Sequence, residues 1–348
     1  MSQNILFSND IRASIAALLA PMEPKGVFII TDTNVAREVL PNLGLGYPVV
    51  TIPAGDGNKN LETLASVWGR LVELGATRRS VILNIGGGVV TDLGGFASAT
   101  FKRGVRFINI PTTLLAAVDA AVGGKTGINF GGLKNEVGAF ASADGVVIST
   151  ATFATLPAKE LLSGYAEMIK HGLLTSPKAY TELLDFSPVG GDPERLLELL
   201  EASVRIKERI VRQDPTEQGI RRALNLGHTA GHAFEAMALA SGKPMPHGYA
   251  VALGLVVELI LAHLHKGFPT SYIYALVSFL KSQGYRFPMF TCDDYPRLLG
   301  LMAHDKKNDI QEMLNFTLLG APGEIHIDTC LPPTAIPPAL DIARDLLE

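Results

Sequence analysis

The sequence predicts an α/β N-terminal domain, Rossmann-like with a mostly parallel sheet, followed by a mainly α-helical C-terminal domain. The chain has 348 residues, more than the size at which one hydrophobic core stops growing. Apolar segments are short and strand-like as far as about residue 150, whereas long helical periodicity prevails after Pro157. We therefore predict domains at residues 1–157 and 158–348.

In the first domain, apolar runs of strand length alternate with helical patterns. The predicted strands are residues 27–30, 49–52, 81–85, 105–110 and 146–148. Their continuous Val and Ile content is typical of parallel strands that are covered on both faces. Alternation of strand and helix therefore predicts a single, mostly parallel sheet.

Helical periodicity dominates the second domain. The predicted helices are residues 158–174, 193–212, 224–241, 247–266, 270–283 and 293–303, and the next strand pattern is 314–318. The most apolar segment, 249–264, contains Glu258 and His263 and is shorter than the ~20 residues that span a bilayer. We interpret it as a buried helix.

Composition and charge exclude several classes of protein. Hydrophobic residues make up 47% and charged residues 18%, so the chain should fold. A net charge of -4 provides no positive field for nucleic acid or for an anionic membrane, and neither is expected as a partner. Cys292 and Cys330 lack metal spacing and are too few for a disulfide framework. With no basic secretory start at the N-terminus, these features favour a cytoplasmic location.

A glycine-rich segment follows the strand at 81–85 and precedes a predicted helix. Glycines 86–88 would let the backbone approach a phosphate closely, and the helix N-terminus would present free N–H groups to it. The segment lacks the GxGxxG pattern, so packing alone explains it equally well. Asp32, which follows the first strand, is either a ligand of ribose hydroxyls or a helix N-cap.

Histidines and a carboxylate suggest a metal site. His228 and His232 are four residues apart and share a helical face, while His247 precedes a glycine at the start of the next helix. Three imidazoles with a carboxylate suit a first-row ion, zinc above all. Histidine pairs on helices are more often structural, however. Glu167 and Lys170 also share a face, as a surface pair or as part of a site, and the residues alone leave both alternatives open.

Several cations lie in unusual surroundings for an acidic protein. Lys125 and Lys134 stand beside glycine pairs, an arrangement that suits close approach of a phosphate. Arg103, Lys170, Lys207 and Arg221 complete the set; taken singly, Arg103 and Lys207 read as surface charges. Only the whole set favours an anionic ligand.

Together these segments resemble the 3-dehydroquinate synthase family. The resemblance extends in order from about Asp32 to Lys307 and rests on these segments: 86–92 (GGGVVTD), 111–116 (PTTLLA), 118–127 (VDAAVGGKTG), Lys134-Asn135, 166–170 (AEMIK), 224–233 (LNLGHTAGHA), His247-Gly248 and 305–307 (DKK). Such a resemblance implies an NAD-binding N-terminal domain, a helical domain that binds metal and substrate, an active site in the cleft between them, and a homodimer.

The resemblance also implies site residues. Glu167, His228 and His247 match the metal ligands, for zinc or cobalt, whereas His232 would contact substrate. Positions that match NAD ligands are Asp32, Asn34, Asp56, Lys59, Gly87, Gly88, Asp92, Thr112, Thr113, Lys125, Lys134 and Thr155. Positions that match substrate ligands are Arg103, Asp119, Lys125, Lys134, Asn135, Lys170, Lys207, Arg221, Asn225, His232 and one of Lys306 or Lys307. Glu217 matches a proton acceptor, and Arg103 could act across the dimer interface.

Two positions depart from the family pattern. Asp56 stands where the family usually has glutamate. In the segment 151–155 the aromatic Phe153 is displaced by one position, so only Thr155 is carried over.

The implied reaction converts 3-deoxy-D-arabino-heptulosonate 7-phosphate to 3-dehydroquinate and phosphate, a step toward aromatic amino acids by way of shikimate. It proceeds by transient oxidation by NAD, phosphate elimination, re-reduction and intramolecular aldol closure. The rival interpretations are another sugar-phosphate cyclase, a metal-dependent polyol dehydrogenase that releases NADH, and a catalytically silent NAD-binding scaffold. The cyclases share the metal and NAD and differ in substrate, whereas the polyol dehydrogenase differs in releasing NADH.

Overall fold

The computed structural model describes residues 3–303 and 313–348. Its chain forms two compact units, Met1–Pro157 with Asp192–Val204 and Ala158–Gly191 with Arg205–Glu348. The domain boundary that the sequence places between residues 157 and 158 stays a prediction.

The first unit is built on a six-stranded sheet in which every pairing is parallel, with the order β1-β8-β5-β4-β2-β3. Its strands are β1 (Asn4–Phe7), β2 (Val27–Asp32), β3 (Val49–Ile52), β4 (Val81–Gly86), β5 (Arg106–Pro111) and β8 (Gly145–Ile148). The predicted mostly parallel sheet is confirmed, with β1 as an edge strand that the sequence did not predict. Ile29, Leu83 and Ile108 are fully buried, as expected for strands covered on both faces.

Five helices connect these strands: α1 (Ile11–Leu19), α2 (Thr33–Glu38), α3 (Leu40–Leu43), α4 (Leu61–Glu73) and α5 (Gly88–Thr100). Asn60 caps α4 by accepting a hydrogen bond from the Thr63 amide. The apolar face of α1, with Ile11, Ile15 and Leu18, packs into the same core as the central strands.

An antiparallel hairpin of β6 (Lys125–Phe130) and β7 (Leu133–Phe140) is inserted before β8. Gly131 and Gly132 form its turn with φ of 59° and 83°, a region that side chains disfavour. Gly127 and Gly138 face each other across the strands, where a Cβ on either would meet the opposite backbone. The glycine-rich lysine segments of the sequence are therefore strands with a tight turn.

The second unit is mainly helical, as predicted. Its elements are α6 (Ala158–Leu173), α7 (Pro177–Leu184), α8 (Pro193–Gln213), α9 (His228–Ala240), α10 (His247–Lys266), α11 (Thr270–Ser282), α12 (Tyr295–Ala303), the antiparallel pair β9 (Leu314–Ala321) and β10 (Glu324–Leu331), and α13 (Ile336–Leu347). The first residues of α8 group with the first unit.

One predicted helix start was wrong. The helix expected from residue 224 begins at His228, after a 3-10 turn at Ile220–Asn225. Gly227 interrupts the helix because its φ of 79° lies in the left-handed region. This break places His228 in the first turn of α9.

Helix α10 is the centre of the second unit and packs against α6, α9, α13 and β9. Within the described ranges it alone is long and apolar enough to cross a membrane, but 83% of its apolar window is buried inside the protein. Such burial confirms the interpretation of 249–264 as a core helix.

Candidate active site

Three helices of the second unit converge where small residues let their backbones touch. The Gly248 amide donates a hydrogen bond to the Ser163 hydroxyl at 3.0 Å, and a Cβ at Gly248 would lie closer than 3.0 Å to the Ser163 carbonyl. In the same way, a Cβ at Gly254 would clash with the carbonyl of Gly227. Glycine thus sets α10 against both α6 and α9.

Glu167, on α6, is the centre of the resulting cluster. Its Oε1 lies 3.5 Å from Nε2 of His228 and 3.4 Å from Nε2 of His247. Its Oε2 forms an ion pair with the Lys170 ammonium, one helical turn along. Both Glu167 and Lys170 are almost completely buried. The alternative of a surface pair, left open by the sequence, is therefore excluded.

The two histidines that face Glu167 are each oriented by a hydrogen bond on the opposite side of the ring. Nδ1 of His228 donates to the Leu226 carbonyl at 3.1 Å, and Nδ1 of His247 donates to Oε2 of Glu235, also at 3.1 Å. Because Nδ1 of each ring is bonded to these acceptors, Nε2 is the nitrogen that faces Glu167. Ligating histidines are usually oriented in this way by a carboxylate or a carbonyl.

His232 lies beside them but is exposed. Its ring centroid is 5.2 Å from that of His228 and 5.8 Å from that of His247, and ligand nitrogens of the three rings all lie within 4.8 Å of one another. The structure thus brings together the three imidazoles and the carboxylate that the sequence singled out.

Charges within the cluster tune its protonation. Burial raises the pKa of Glu167, but Lys170 and His228 outweigh it and hold that pKa well below its usual range. Burial and the Lys170 charge hold the pKa of His228 well below its usual value. A carboxylate and a neutral imidazole are the protonation states that metal binding requires.

His247 responds in the opposite direction. Burial lowers its pKa, but hydrogen bonds with Glu167 and Glu235 raise it more, to about 10. The two carboxylates therefore favour a positive charge at this point. Oε1 of Glu167 faces the Nε2 atoms of His228 and His247, while Oε2 pairs with the Lys170 ammonium. A buried carboxylate oxygen that faces two directed Nε2 atoms fits a divalent cation.

A loop before α9 gathers three further predicted residues. Arg221 is buried and donates from Nη1 to the Pro215 carbonyl at 2.7 Å, while Nδ2 of Asn225 lies 3.3 Å from Oε1 of Glu217. Asp214, which the sequence did not predict, organises the loop by accepting from the amides of Gln218, Gly219 and Arg221 at 3.0, 2.7 and 3.0 Å.

In the first unit, the glycine segment begins helix α5. Gly87 is its N-cap and has no side chain with which to cap the first amides of the helix. A Cβ at Gly86 would clash with Val90, which explains one glycine by packing. The buried Thr112 hydroxyl has no hydrogen-bond partner among residues 3–303 and 313–348. Amides at a helix N-terminus and an orphaned hydroxyl fit a dinucleotide pyrophosphate.

Asp32 serves as the N-cap of α2. Its Oδ1 accepts from the amides of Asn34 and Val35 at 2.8 and 3.1 Å. Asp32 is therefore a helix N-cap, one of the two roles that the sequence left open. Its other oxygen, Oδ2, would be the one available to a ribose hydroxyl.

Lys59, a buried cation, forms a cluster with four other predicted residues. Its Nζ lies 3.0 Å from Oδ2 of Asp92, 3.7 Å from Oδ1 of Asp56 and 2.5 Å from Oδ1 of Asn135. Nζ of Lys134 lies 3.7 Å from the other Asp56 oxygen. Asp56, the departure from the family pattern, therefore has two ionic partners, Lys59 and Lys134.

Asn129, which sequence reasoning missed, links the two ends of this cluster. Its side chain donates to Asp56 at 3.1 and 3.3 Å and accepts from the Asn135 amide at 3.0 Å. Its only signal in the sequence is its position near the Gly131-Gly132 turn, and a polar residue near such a turn is common for many reasons.

The remaining predicted residues are not joined to these groups by the contacts described above. Arg103 and Lys125 are exposed, Asp119 lies in a π-helical turn at Ala116–Ala120, and Lys207 is buried on α8 rather than a surface charge. Thr155 lies in a depression of about 310 Å³ beside Thr152. A wider depression of about 480 Å³, next to Arg106, contains none of the predicted residues. Lys306 and Lys307 lie outside the described residues.

Comparison with known proteins identifies the family. Models described as "3-dehydroquinate synthase N-terminal" and "3-dehydroquinate synthase C-terminal" match residues 49–163 and 164–308. The chain belongs to the 3-dehydroquinate synthase family. A 3-dehydroquinate synthase of Parabacteroides distasonis is 45% identical over 99% of this chain and 98% of that relative. The enzyme of Pyrococcus abyssi is 38% identical over 88% of this chain and 89% of its own.

Solved structures share the fold of this 3-dehydroquinate synthase family member. A 2-deoxy-scyllo-inosose synthase, complexed with carbaglucose-6-phosphate, NAD+ and Co2+, has a TM-score of 0.86 at 24% identity over 99% of this chain and 96% of its own. A 2-epi-5-epi-valiolone synthase from Streptomyces hygroscopicus subsp. jinggangensis 5008, with NAD+ and Zn2+ bound, has a TM-score of 0.86 at 23% identity over 99% and 97%. These likenesses concern the fold.

Proposed function

We propose that this chain catalyses the 3-dehydroquinate synthase reaction, conversion of 3-deoxy-D-arabino-heptulosonate 7-phosphate to 3-dehydroquinate and phosphate, with NAD and one divalent ion. The observation that carries the proposal is the approach of two Nε2 atoms, from His228 and His247, to one buried oxygen of Glu167 at 3.5 and 3.4 Å. Family membership and the 45% identical relative support the choice of reaction.

Glu167, His228 and His247 would hold the ion, zinc or cobalt, while His232 serves the substrate. When bound, the ion would supply a Lewis acid for the hydroxyl that is oxidised, and NAD would supply reversible hydride transfer. Lys170 neutralises the second oxygen of Glu167 and keeps a positive charge beside the reacting centre. Glu235 and the Leu226 carbonyl fix the two rings, so the ligands are ordered in advance.

NAD would be held in the first unit by the amides that begin α5 and by Asp32, Asn34, Asp56, Lys59, Gly87, Gly88, Asp92, Thr112, Thr113, Lys125, Lys134 and Thr155. The helix N-terminus after β4 and the orphaned Thr112 hydroxyl support this assignment. The substrate has a phosphate and a carboxylate, and the cationic set suits two anions. We assign its binding to Arg103, Asp119, Lys125, Lys134, Asn135, Lys170, Lys207, Arg221, Asn225, His232 and one of Lys306 or Lys307.

Glu217 is proposed to accept a proton. Its Oε1 lies 3.3 Å from Nδ2 of Asn225, so the amide would orient the carboxylate for proton transfer. Elimination of phosphate needs such a group or the phosphate itself as base.

We also propose a homodimer in the cytoplasm, without nucleic acid or membrane partners. Four apolar side chains of the β6–β7 hairpin, Phe130, Leu133, Val137 and Phe140, are exposed and would suit contact with a second copy. Arg103 would then reach the partner's site. Exposed, unpaired Cys292 and Cys330 agree with a reducing compartment.

Metal analysis and turnover together test the proposal. Purified Glu167→Ala, His228→Ala and His247→Ala proteins should lose the bound ion, whereas His232→Ala should keep it but turn over poorly. A full complement of metal in His247→Ala would remove that residue from the site. Phosphate released by the wild-type protein should greatly exceed the NAD supplied. Stoichiometric accumulation of NADH would instead favour the polyol dehydrogenase, and a glycerol dehydrogenase with a TM-score of 0.61 shares the fold.

A further inference from the structure

Glu258 is a buried charge that the reaction described above does not use. It lies in the most apolar stretch of α10, where Val256, Val257, Leu259 and Ile260 are buried with it. A carboxylate removed from water in such surroundings is costly unless its oxygens accept hydrogen bonds. The groups that bond to Glu258 therefore indicate its role in α10.

Both oxygens of Glu258 accept bonds from the first turn of α9. Oε2 accepts from the Gly227 amide at 2.6 Å and Oε1 accepts from the Ala230 amide at 3.0 Å. Gly227 is the N-cap of α9 and has no side chain with which to satisfy these amides. Glu258 therefore supplies the cap from a neighbouring helix, where a negative charge also interacts favourably with the helix dipole.

Close approach of the two helices makes this reach possible. Gly254 lies one turn before Glu258 on the same face of α10, and a Cβ there would meet the Gly227 carbonyl and the Gly231 amide closer than 3.0 Å. The backbone of α10 thus touches the start of α9. A longer separation would leave the Glu258 carboxylate short of the amides.

The two bonds bracket His228. One amide belongs to the residue before it and the other to the second residue after it, so the Cα of His228 is fixed between them. Its ring is fixed separately by the Leu226 carbonyl, and Leu226 directly precedes Gly227. A shift of Gly227 would therefore move both the backbone and the ring anchor of this histidine.

We propose that Glu258 is a positioning residue for the metal centre, which acts by fixing the backbone that places Nε2 of His228. This inference rests on the proposed function, in which His228 is a ligand. Metal sites require their ligands within a few tenths of an ångström of ideal geometry, and loss of an outer contact weakens metal affinity by about 10–100-fold. Glu258 would have this effect without touching the ion.

A metal titration tests the role. The full chain is freed of metal with a chelator and titrated with Co²⁺ in competition with a chromophoric chelator, while the visible spectrum of bound Co²⁺ is recorded. Glu258→Gln keeps the shape but places an NH₂ group against an amide, so we expect Co²⁺ affinity to fall by about 10–100-fold and the spectrum to change. Glu258→Asp keeps the charge but loses reach, and should change both measurements in the same direction.

Val257→Ala is the matched control. It destabilises the same turn of α10 but contains no polar group that could bond to the start of α9. Its metal-free form should unfold more readily, while its Co²⁺ affinity and spectrum stay as in the wild type. If Glu258→Gln is destabilised but binds Co²⁺ with wild-type affinity and spectrum, Glu258 is only a structural cap. If Glu258→Gln does not fold, the Co²⁺ affinity and spectrum of Glu258→Asp are compared with those of the wild type in the same way, and wild-type values again mean that Glu258 is only a structural cap.

The proposed function has a separate outcome in this experiment. If the wild-type chain binds no ion, or if His228→Ala binds it as tightly as the wild type, the metal centre itself is wrong. If the wild-type chain binds and His228→Ala does not, yet both Glu258 variants bind normally, only the inference about Glu258 fails.

Discussion

The Gly248 amide donates to the Ser163 hydroxyl at 3.0 Å, and this bond joins α10 to α6 beside the proposed metal ligands. Gly248 follows His247, and Ser163 precedes Glu167 by one helical turn. The distance between the proposed ligands His247 and Glu167 is therefore set by the contact of Gly248 with Ser163, in which only glycine fits.

Gly248→Ala should force the two helices apart, because the added methyl would overlap the Ser163 backbone. Overpacking of this kind lowers the free energy of unfolding by about 1–3 kcal/mol or more, and metal content should fall with it. Denaturant unfolding and metal analysis measure the two effects. Gly300→Ala, at an exposed helical glycine with open space around it, should keep full metal content. Normal metal content in Gly248→Ala would show that the contact does not set the ligand distance.

Glu235→Ala should weaken metal binding by about 10–100-fold, since Nδ1 of His247 would lose the carboxylate that orients its ring. Glu235→Gln retains an acceptor oxygen and should lie between the alanine variant and the wild type. Competition with a chelator gives the dissociation constants. Equal affinities in all three proteins would mean that the ring is oriented without Glu235.

Asp214→Asn should disorganise the loop that contains Glu217, Arg221 and Asn225. Burial raises the pKa of Asp214, but hydrogen bonds from the amides of Gln218, Gly219 and Arg221 outweigh it and lower the pKa. The bonded, charged form thus prevails at neutral pH, and its contribution is lost as the pH falls through this lowered value.

Hydrogen exchange of amides 218, 219 and 221 in the wild-type protein should therefore accelerate at low pH relative to neighbouring loops. Asp214→Asn should show the same acceleration at neutral pH, and the KM for substrate should rise while metal content stays constant. Unchanged exchange at these amides would rule out the loop-organising role.

Lys59→Met should weaken NAD binding by at least about tenfold. Its loss leaves Asp56 and Asp92 without the buried cation between them and frees Asn135. NAD affinity, measured by calorimetry on the full chain, reports the effect. Lys178→Met removes an exposed lysine that pairs with Glu182 at 3.9 Å, and should bind NAD normally. A wild-type affinity in Lys59→Met would exclude this cluster from the NAD site.

Substrate choice distinguishes the proposed reaction from those of other sugar-phosphate cyclases. The heptulosonate phosphate has a carboxylate that sedoheptulose 7-phosphate lacks, and the cationic set exceeds what one phosphate needs. Phosphate release should be rapid from the acid and slight from the neutral sugar. Arg221→Ala should reduce this preference by about 2–5 kcal/mol, because Arg221 is buried. Equal cyclisation of both compounds by the wild-type chain would refute the assignment.

The sequence by itself predicted the class of fold and the residues of a candidate metal site. Strand-length apolar runs before residue 150 and helical periodicity after Pro157 predicted the parallel sheet and the helical unit, because burial imposes those periods on the sequence. His228 and His232 were selected from the sequence because their spacing places them on one helical face. His247 was selected because it precedes a glycine at a predicted helix start, and Glu167 because it shares a helical face with Lys170.

Only the tertiary structure decided how these residues are used. Glu167 and Lys170 could have formed a surface pair, and burial among three helices is what makes them part of a site. Asp214, Asn129, Glu235 and Glu258 were not predicted as site residues, because each acts by bonding to groups that the fold brings near. Periodicity shows which face of a helix is buried. It does not show which backbone amides and carbonyls need a partner, because nearly every residue carries the same backbone groups. Which of them lack a partner is determined only when the helices pack.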